Sequence, residues 1–148
     1  MRFMIIRKAD RDTEAGVMPS EQLLADMMKY NETMVKAGVM QAGEGLHPSS
    51  KGARVTFSAG KPTVVDGPFT ETKELIAGFT IIEVGSREEA IEWVKRWPAR
   101  DANGNVQLEL RQVFAAEDFG AEFTPELRKQ EEALRAEADK RVQAGRGA

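Results

Sequence analysis

Cysteine is missing from the 148-residue chain, and histidine occurs once, as His47. The first absence removes disulfides, thiolate nucleophiles and Cys-based zinc sites together. The second excludes a multi-histidine metal cage within one chain. No apolar run approaches the ~18 residues of a membrane span. The amino terminus, "MRFMIIRKAD", holds only four consecutive apolar residues, too short for the core of a signal peptide, so a cytoplasmic location is expected. There is no block of positive charge either. The 21 Lys and Arg lie among 24 Asp and Glu, for a net charge of −3. Nucleic-acid binding rests on phosphate neutralisation by a positive surface. Neither a nucleic acid nor a membrane is therefore an expected partner, and no metal or cofactor is indicated.

What remains is an ordinary globular composition. A chain of this length forms one main domain and buries about 70% of its extended-chain surface. "RFMIIR" (2–7) is apolar without polar alternation and predicts an interior strand buried on both faces. A loop with Asp10, Asp12 and Gly16 follows. Residues 20–37 form the clearest helix, with Ser20 as N-cap and Gly38 ending it. Leu24, Met27, Met28, Asn31, Met34 and Val35 fall on one face, a Met-rich stripe read as plastic core or as the wall of a ligand pocket. "VMQAGEGL" is a glycine-broken strand. "RVTFSAGKPTVVDG" is a hairpin with strands at 54–58 and 63–66 around Ala59, Gly60 and Lys61.

"LIAGFTIIEV" (75–84) is apolar on both faces and should sit centrally, with Gly78 marking a bulge or a close backbone approach. Ser86 and Glu89 form an S-x-x-E capping box for a helix over 87–97, with Ala90, Ile91, Val94 and Trp97 inward and Pro98 as the stop. "VQLELR" (106–111) alternates as a half-buried strand. This order predicts an α+β fold: a ferredoxin-like antiparallel sheet with helices on one face and an extra β-hairpin. A bare apolar sheet face calls for a second copy, so a homodimer is expected. The domain is expected over 1–115. Residues 116–148 are read as a surface helix opened by Thr124 and Pro125, running to about Val142, with 143–148 frayed.

Several familiar sites are absent. "GEGLHP" has Pro48 where a dinucleotide loop needs its third glycine, "AGKP" lacks the rest of a phosphate loop, and no G-x-S-x-G elbow occurs. His47 and Ser49 or Ser50 are too close along the chain for a triad. The stretch "VVDGPFTETKE" (64–74) is more informative. Pro68 restricts its own φ and the residue before it, Gly67 permits angles a side chain would forbid, Asp66 is placed to bond the backbone two residues on as an Asx-turn, and Phe69 is read as a plug folding back on the core. Thr70 to Glu74 are either solvated or catalytic.

The stretch "VVDGPFTETKELIAGFTIIEVGSREEAIEWVKRWP", together with "YNETMVKAGVMQAGEGLHPSSKGARV", closely resembles the signature of the DGPF family within the YCII-related superfamily, over roughly residues 1–115. The resemblance implies a dimeric α+β barrel built from ferredoxin-like halves. It also implies that Asp66, Gly67, Pro68, Phe69, Glu71, Lys73 and Glu74 belong to the signature. Some members resemble neighbours of extracytoplasmic-function sigma factors. Shorter members of the superfamily resemble small-molecule enzymes with a His–Asp pair whose histidine lies near the start of the first helix. This chain reads "PSEQLLAD" there, so that pair does not transfer. An alternative is His47 with Asp66, the carboxylate orienting the imidazole as a base that works near neutrality. Lys73 would hold an anionic group, with Glu71, Glu74 and Phe69 as further ligand-binding residues. The expected function is a small-molecule-binding protein or enzyme. The alternative is a non-catalytic interaction or regulatory module, of the kind associated with those sigma factors.

Overall fold

The structure, a computed structural model, describes residues 1–147. The first of two compact units, Met1–Val113, contains β1 (Arg2–Lys8), α1 (Arg11–Glu14), α2 (Glu21–Lys36), β2 (Met40–Gly45), β3 (Ala53–Ser58), β4 (Lys61–Asp66), β5 (Ile76–Glu83), α3 (Arg87–Lys95) and β6 (Leu108–Gln112). The second begins at Phe114 and contains α4 (Pro125–Arg146). Four strands form one sheet in the order β2-β5-β1-β6, with every pairing antiparallel. The fold is α+β, as the periodicities predict. The two most apolar strands, β1 and β5, take the centre because only there is a strand covered on both edges.

Alternation along those strands sorts the side chains. Phe3, Ile5, Thr80, Ile82 and Val84 are buried, and the apolar ones join Tyr30, Met34, Val39, Ala90 and Trp93 in one core under α2 and α3. Met4, Ile6, Phe79 and Ile81 point the other way and remain half-exposed. β1 is therefore fully buried on one face, not two. Ile5, Met34 and Ile82 are the largest completely buried side chains, each worth about 2–3 kcal/mol of apolar burial.

The predicted inner face of α2 is rotated. Leu24, Met28 and Val35 are exposed, while Met27, Tyr30 and Met34 face the core. Tyr30 decides the rotation. Its ring packs edge-on to Trp97 at 5.6 Å and its hydroxyl donates to the Trp93 carbonyl at 2.8 Å. Burial pushes the Tyr30 pKa up to about 12, with the Arg96 charge opposing the rise. Trp93, left off the predicted inner face of α3, is buried in the same core and supplies the backbone carbonyl that the Tyr30 hydroxyl meets. Both helix starts are as read. Ser20 accepts from the Leu23 N–H and Ser86 from the Glu89 N–H, each at 3.1 Å. The Glu89 carboxylate, however, takes the N–H of Gly85 at 2.9 Å, one residue before the cap. Asp10 and Asp12 lie not in a plain loop but at the head of α1, which Asp10 caps by accepting from Thr13 N–H at 2.8 Å.

Gly78 has both features expected of it. The register of β1 against β5 shifts beside it, and a Cβ there would stand 2.9 Å from the Glu44 carbonyl oxygen of β2. β3 and β4 pair only with each other, as a two-stranded hairpin whose strand residues are all exposed. Ala59 and Gly60 have φ of 49° and 78°, the left-handed pair of a two-residue hairpin turn.

In the second unit, Phe114, Phe119 and Phe123 stack in sequence with centroids 5.1 and 5.3 Å apart. Thr124 caps α4, Pro125 opens it, and Glu131–Arg135 and Glu137–Arg141 ion pairs at 2.7 Å lie along it. None of its residues is buried. The helix runs to Arg146, so residues 143–146 are helical and not frayed, and Gly147 caps it. Ala148 lies outside the described residues.

Candidate functional site

Antiparallel order brings four chain segments to one end of the sheet. β1 and β2 finish there, and β5 and β6 begin there. Backbone bonds carry the pairing past the strand ends: Ala9 N–H to Leu75 O at 2.9 Å, Leu46 N–H to Ala77 O at 2.8 Å, and Lys8 N–H to Gln107 O at 3.1 Å. The segment before α1, the turn holding His47, the 66–74 stretch and the 101–107 loop are thus neighbours, although they are dispersed along the chain.

A buried ion pair braces this end. Arg7, next to last in β1, donates from Nη2 to Asp101 Oδ1 at 2.6 Å and from Nε to Asp101 Oδ2 at 3.1 Å. Its Nη1 serves Asp10 Oδ2 at 3.0 Å and the Lys8 carbonyl at 2.8 Å. Trp97 Nε1 adds a bond to Asp101 Oδ2 at 2.9 Å. The Arg7 and Asp101 side chains are only 11% and 8% exposed, so this is a desolvated pair with its donors matched. Burial works against the Arg7 charge, but the hydrogen bonds and charges of Asp101 and Asp10 outweigh it and raise the guanidinium pKa. Burial likewise works against the Asp10 carboxylate, yet the Thr13 N–H and the Arg7 guanidinium hold its pKa below the usual carboxylate value. The chain leaves Asp101 through Ala102 and Asn103, at φ 51° and 54°, and Gly104, at φ 86°. Ala102 has no side-chain bond to favour this conformation, which costs such a residue about 1–2 kcal/mol. Asp10, Arg11 and Asp12 from one side and Ala102, Asn103 and Asn105 from the other line an open cleft of about 230 Å³. A second shallow cleft, of about 280 Å³, lies between α2 and α3, with Asp26, Lys29, Tyr30, Thr33, Arg96 and Pro98 on its walls.

The 66–74 stretch is knitted to the other end of α1. Glu14 accepts from the Ser49 N–H at 3.0 Å and from Ser49 Oγ at 2.5 Å, and that oxygen accepts from the Phe69 N–H at 3.0 Å. The Gly67 N–H donates to Gly52 O at 2.9 Å, and the Gly67–Pro68 peptide is cis. A Cβ on Gly67 would overlap the Ser49 carbonyl oxygen, so close approach of two backbones demands glycine here. The Asx-turn expected at Asp66 does not form. The residue two positions on is Pro68, which has no N–H. Nor does Phe69 plug the core: it is half-buried, with the Arg54 guanidinium 3.9 Å from its ring centroid. Thr72–Glu74 make a 3₁₀ turn closed by Glu74 N–H to Glu71 O at 2.9 Å.

Asp66 ends β4, and His47 follows the end of β2 by two residues; both are exposed, and no hydrogen bond or ion pair joins them among the described residues. Glu71, Lys73 and Glu74 are exposed on the 3₁₀ turn and its approach. The topology brings these residues to one end of the molecule's sheet without placing them in contact. The side chains that do interlock there, Arg7, Asp10, Glu14, Ser49, Trp97 and Asp101, were not singled out by motif. Asp10 carried one signal, as a cap residue before a short polar run. The Arg7–Asp101 pair spans 94 positions and left none.

An α+β domain with an all-antiparallel four-stranded sheet, helices packed on one face and polar loops gathered at one sheet end is thus the class of protein defined here. The model of the YCII-related domain matches residues 1–114, and the chain belongs to that family. It is similar to an uncharacterized protein of Rhizobium meliloti (strain 1021), 35% identical over 75 residues, an alignment covering 51% of this chain and 60% of that relative. The match thus spans somewhat less than two thirds of that relative's length. Among solved structures it is similar to 5-chloro-2-hydroxyhydroquinone dehydrochlorinase (TftG) from Burkholderia phenoliruptrix AC1100 in complex with 2,5-dihydroxybenzoquinone. That likeness has a TM-score of 0.45 and 20% identity over 81% of this chain and 100% of the other, and carries no inference for this one.

Proposed function

We propose that the protein binds, and as an enzyme transforms, a small molecule in a polar cleft at the end of the sheet that carries the 66–74 turn, and that it does so as a homodimer. The observation that carries this reading is the convergence of four polar loops on one rigid sheet end, held by the buried Arg7–Asp101 pair and the Glu14–Ser49–Phe69 chain of bonds. Binding geometry is best kept by residues rooted in fixed elements, and binding residues are found disproportionately on loops positioned by a rigid scaffold. His47 and Asp66 stand at the borders of this region, where a ligand between them meets both an imidazole and a carboxylate; such pairs often close only around their substrate. Lys73 supplies a cation for an anionic or phenolic group, with Glu71, Glu74 and Phe69 around it. The half-exposed Met4, Ile6, Phe79 and Ile81 support the homodimer, since a sheet face of this kind gains by meeting its own copy.

A second reading, an interaction module, is favoured by one feature: residues 67–75 bond to one another and to the 49–52 turn through backbone groups and the Ser49 hydroxyl, as a structural turn would. One experiment separates the two. Thermal denaturation is followed with a panel of anionic and phenolic metabolites, for wild type, Asp66→Ala and His47→Ala. A compound that raises the wild-type Tm and neither variant's supports the cleft. A compound that raises all three equally removes both residues from it, and a panel without any shift favours the interaction module.

A further inference from the structure

The cleft between α2 and α3 carries a charge imbalance that the sheet-end site does not use. Asp26, Lys29, Tyr30, Thr33, Arg96 and Pro98 line its volume of about 280 Å³. Its one carboxylate is already engaged: Arg100 Nε donates to Asp26 Oδ2 at 3.0 Å, and Arg100 Nη1 reaches Gln22 Oε1 at 3.4 Å. The cleft and its border thus hold three cations to one carboxylate, on a chain whose net charge is −3. Neither Lys29 nor Arg96 forms an ion pair among the described residues. Two like charges lining one concavity repel, and an anion between them removes that cost.

Arg96 is held in place. Its guanidinium carbon lies 4.4 Å from the Trp93 ring centroid. Stacking of this kind engages the planar face and leaves the N–H groups at the edge for a carboxylate. Lys95, one position earlier in the last turn of α3, instead pairs with Glu92 at 2.7 Å. The hydroxyl groups of the cleft are likewise committed. Tyr30 gives its proton to the Trp93 carbonyl at 2.8 Å, and Thr33 gives its own to the Lys29 carbonyl at 2.9 Å. With its pKa pushed up to about 12, the phenol stays neutral and puts no negative charge beside the two cations. Tyr30 and Pro98, both buried, form an apolar base.

We infer that this cleft is a second binding site, for a small organic carboxylate with a flat apolar body. Arg96 and Lys29 hold the carboxylate, the first as a planar fork and the second as a point charge. The body lies against Tyr30 and Pro98. The volume suits a single-ring ligand, since sites for drug-sized molecules begin at about 300 Å³. None of these residues belongs to the sheet-end site, so the two readings stand or fall separately.

The test titrates the full chain with benzoate and with acetate at constant ionic strength, reading the indole N–H signals by proton NMR. The chain's two tryptophans are natural reporters, because Trp93 lies under Arg96 and Trp97 packs against Tyr30. Benzoate is expected to shift them saturably with a Kd on the order of 1 mM, and acetate to bind at least about fivefold more weakly for want of the ring. Lys29→Gln and Arg96→Gln should each weaken benzoate about tenfold. Lys95→Gln, which removes the same charge from the same helix end, and Asp66→Ala should stay within about twofold of wild type. Shifts that do not saturate, or equal affinities for benzoate and acetate, overturn the inference. So does an equal loss in Lys95→Gln, the mark of general charge attraction. Loss of binding in Asp66→Ala overturns it too, by moving the ligand to the sheet end. Lys29→Gln, a change at an exposed side chain, keeps the test decisive should removal of Arg96 disturb the packing of Trp93.

Discussion

Arg7 shows how much of this sheet end depends on single side chains. Its guanidinium is almost wholly removed from water and finds its charge balance in Asp101. Taking away one partner of such a pair strands the other, at a cost of about 3–5 kcal/mol. Asp101→Ala is accordingly expected to lower unfolding free energy by that amount in urea denaturation, whereas truncating the exposed Asp26, whose partner is the equally exposed Arg100, should change it by less than about 1 kcal/mol. Equal effects of the two substitutions would show that the buried pair is not the brace proposed for this end. The sequence made neither member conspicuous, because an arginine at the end of an apolar strand and an aspartate after a helix stop read as solvated termini.

At the scale of elements, the 66–74 turn and the helices behave differently as objects of sequence reading. Helix starts are local events: a serine oxygen and an N–H three residues on, which is why Ser20 and Ser86 could be assigned directly. The turn is local only in part. Gly67 is required because the backbone at Ser49, far from it along the chain, passes within contact distance, and no pattern around Gly67 encodes that neighbour. Gly67→Ala is expected to destabilise by at least about 3 kcal/mol through overpacking, with little room to relax against backbone. Gly45→Ala, where a Cβ meets open space, is the matched control and should be close to neutral by thermal denaturation. A benign Gly67→Ala would mean that the two backbones can part without loss. The rotation of α2 belongs at this scale too: periodicity found the helix, but Tyr30, polar by its hydroxyl, was the residue whose burial fixed which side faced inward.

On the scale of the whole molecule, the first unit holds every buried apolar residue of the core, from Phe3 to Trp93. The second consists of an aromatic cluster and a helix without a buried side chain. We propose that residues 1–115 form the domain and expect that fragment to fold cooperatively, with a Tm within about 5 °C of the full chain, a change of under about 1 kcal/mol. A fragment that loses its cooperative transition would make residues 116–148 part of the domain.

The sequence by itself determined the order of elements, the central place of the two apolar strands, the hairpin and its turn, and membership in a family, because periodicity, capping and turn chemistry act over a few residues. Only the tertiary structure decided which face of α2 packs inward, that Asp10 belongs with Arg7 and Asp101, and that Ser49 ties Glu14 to the backbone of Phe69. Those are meetings of residues tens of positions apart, selected by the geometry of four antiparallel strand ends. A one-dimensional pattern carries no coordinate for them.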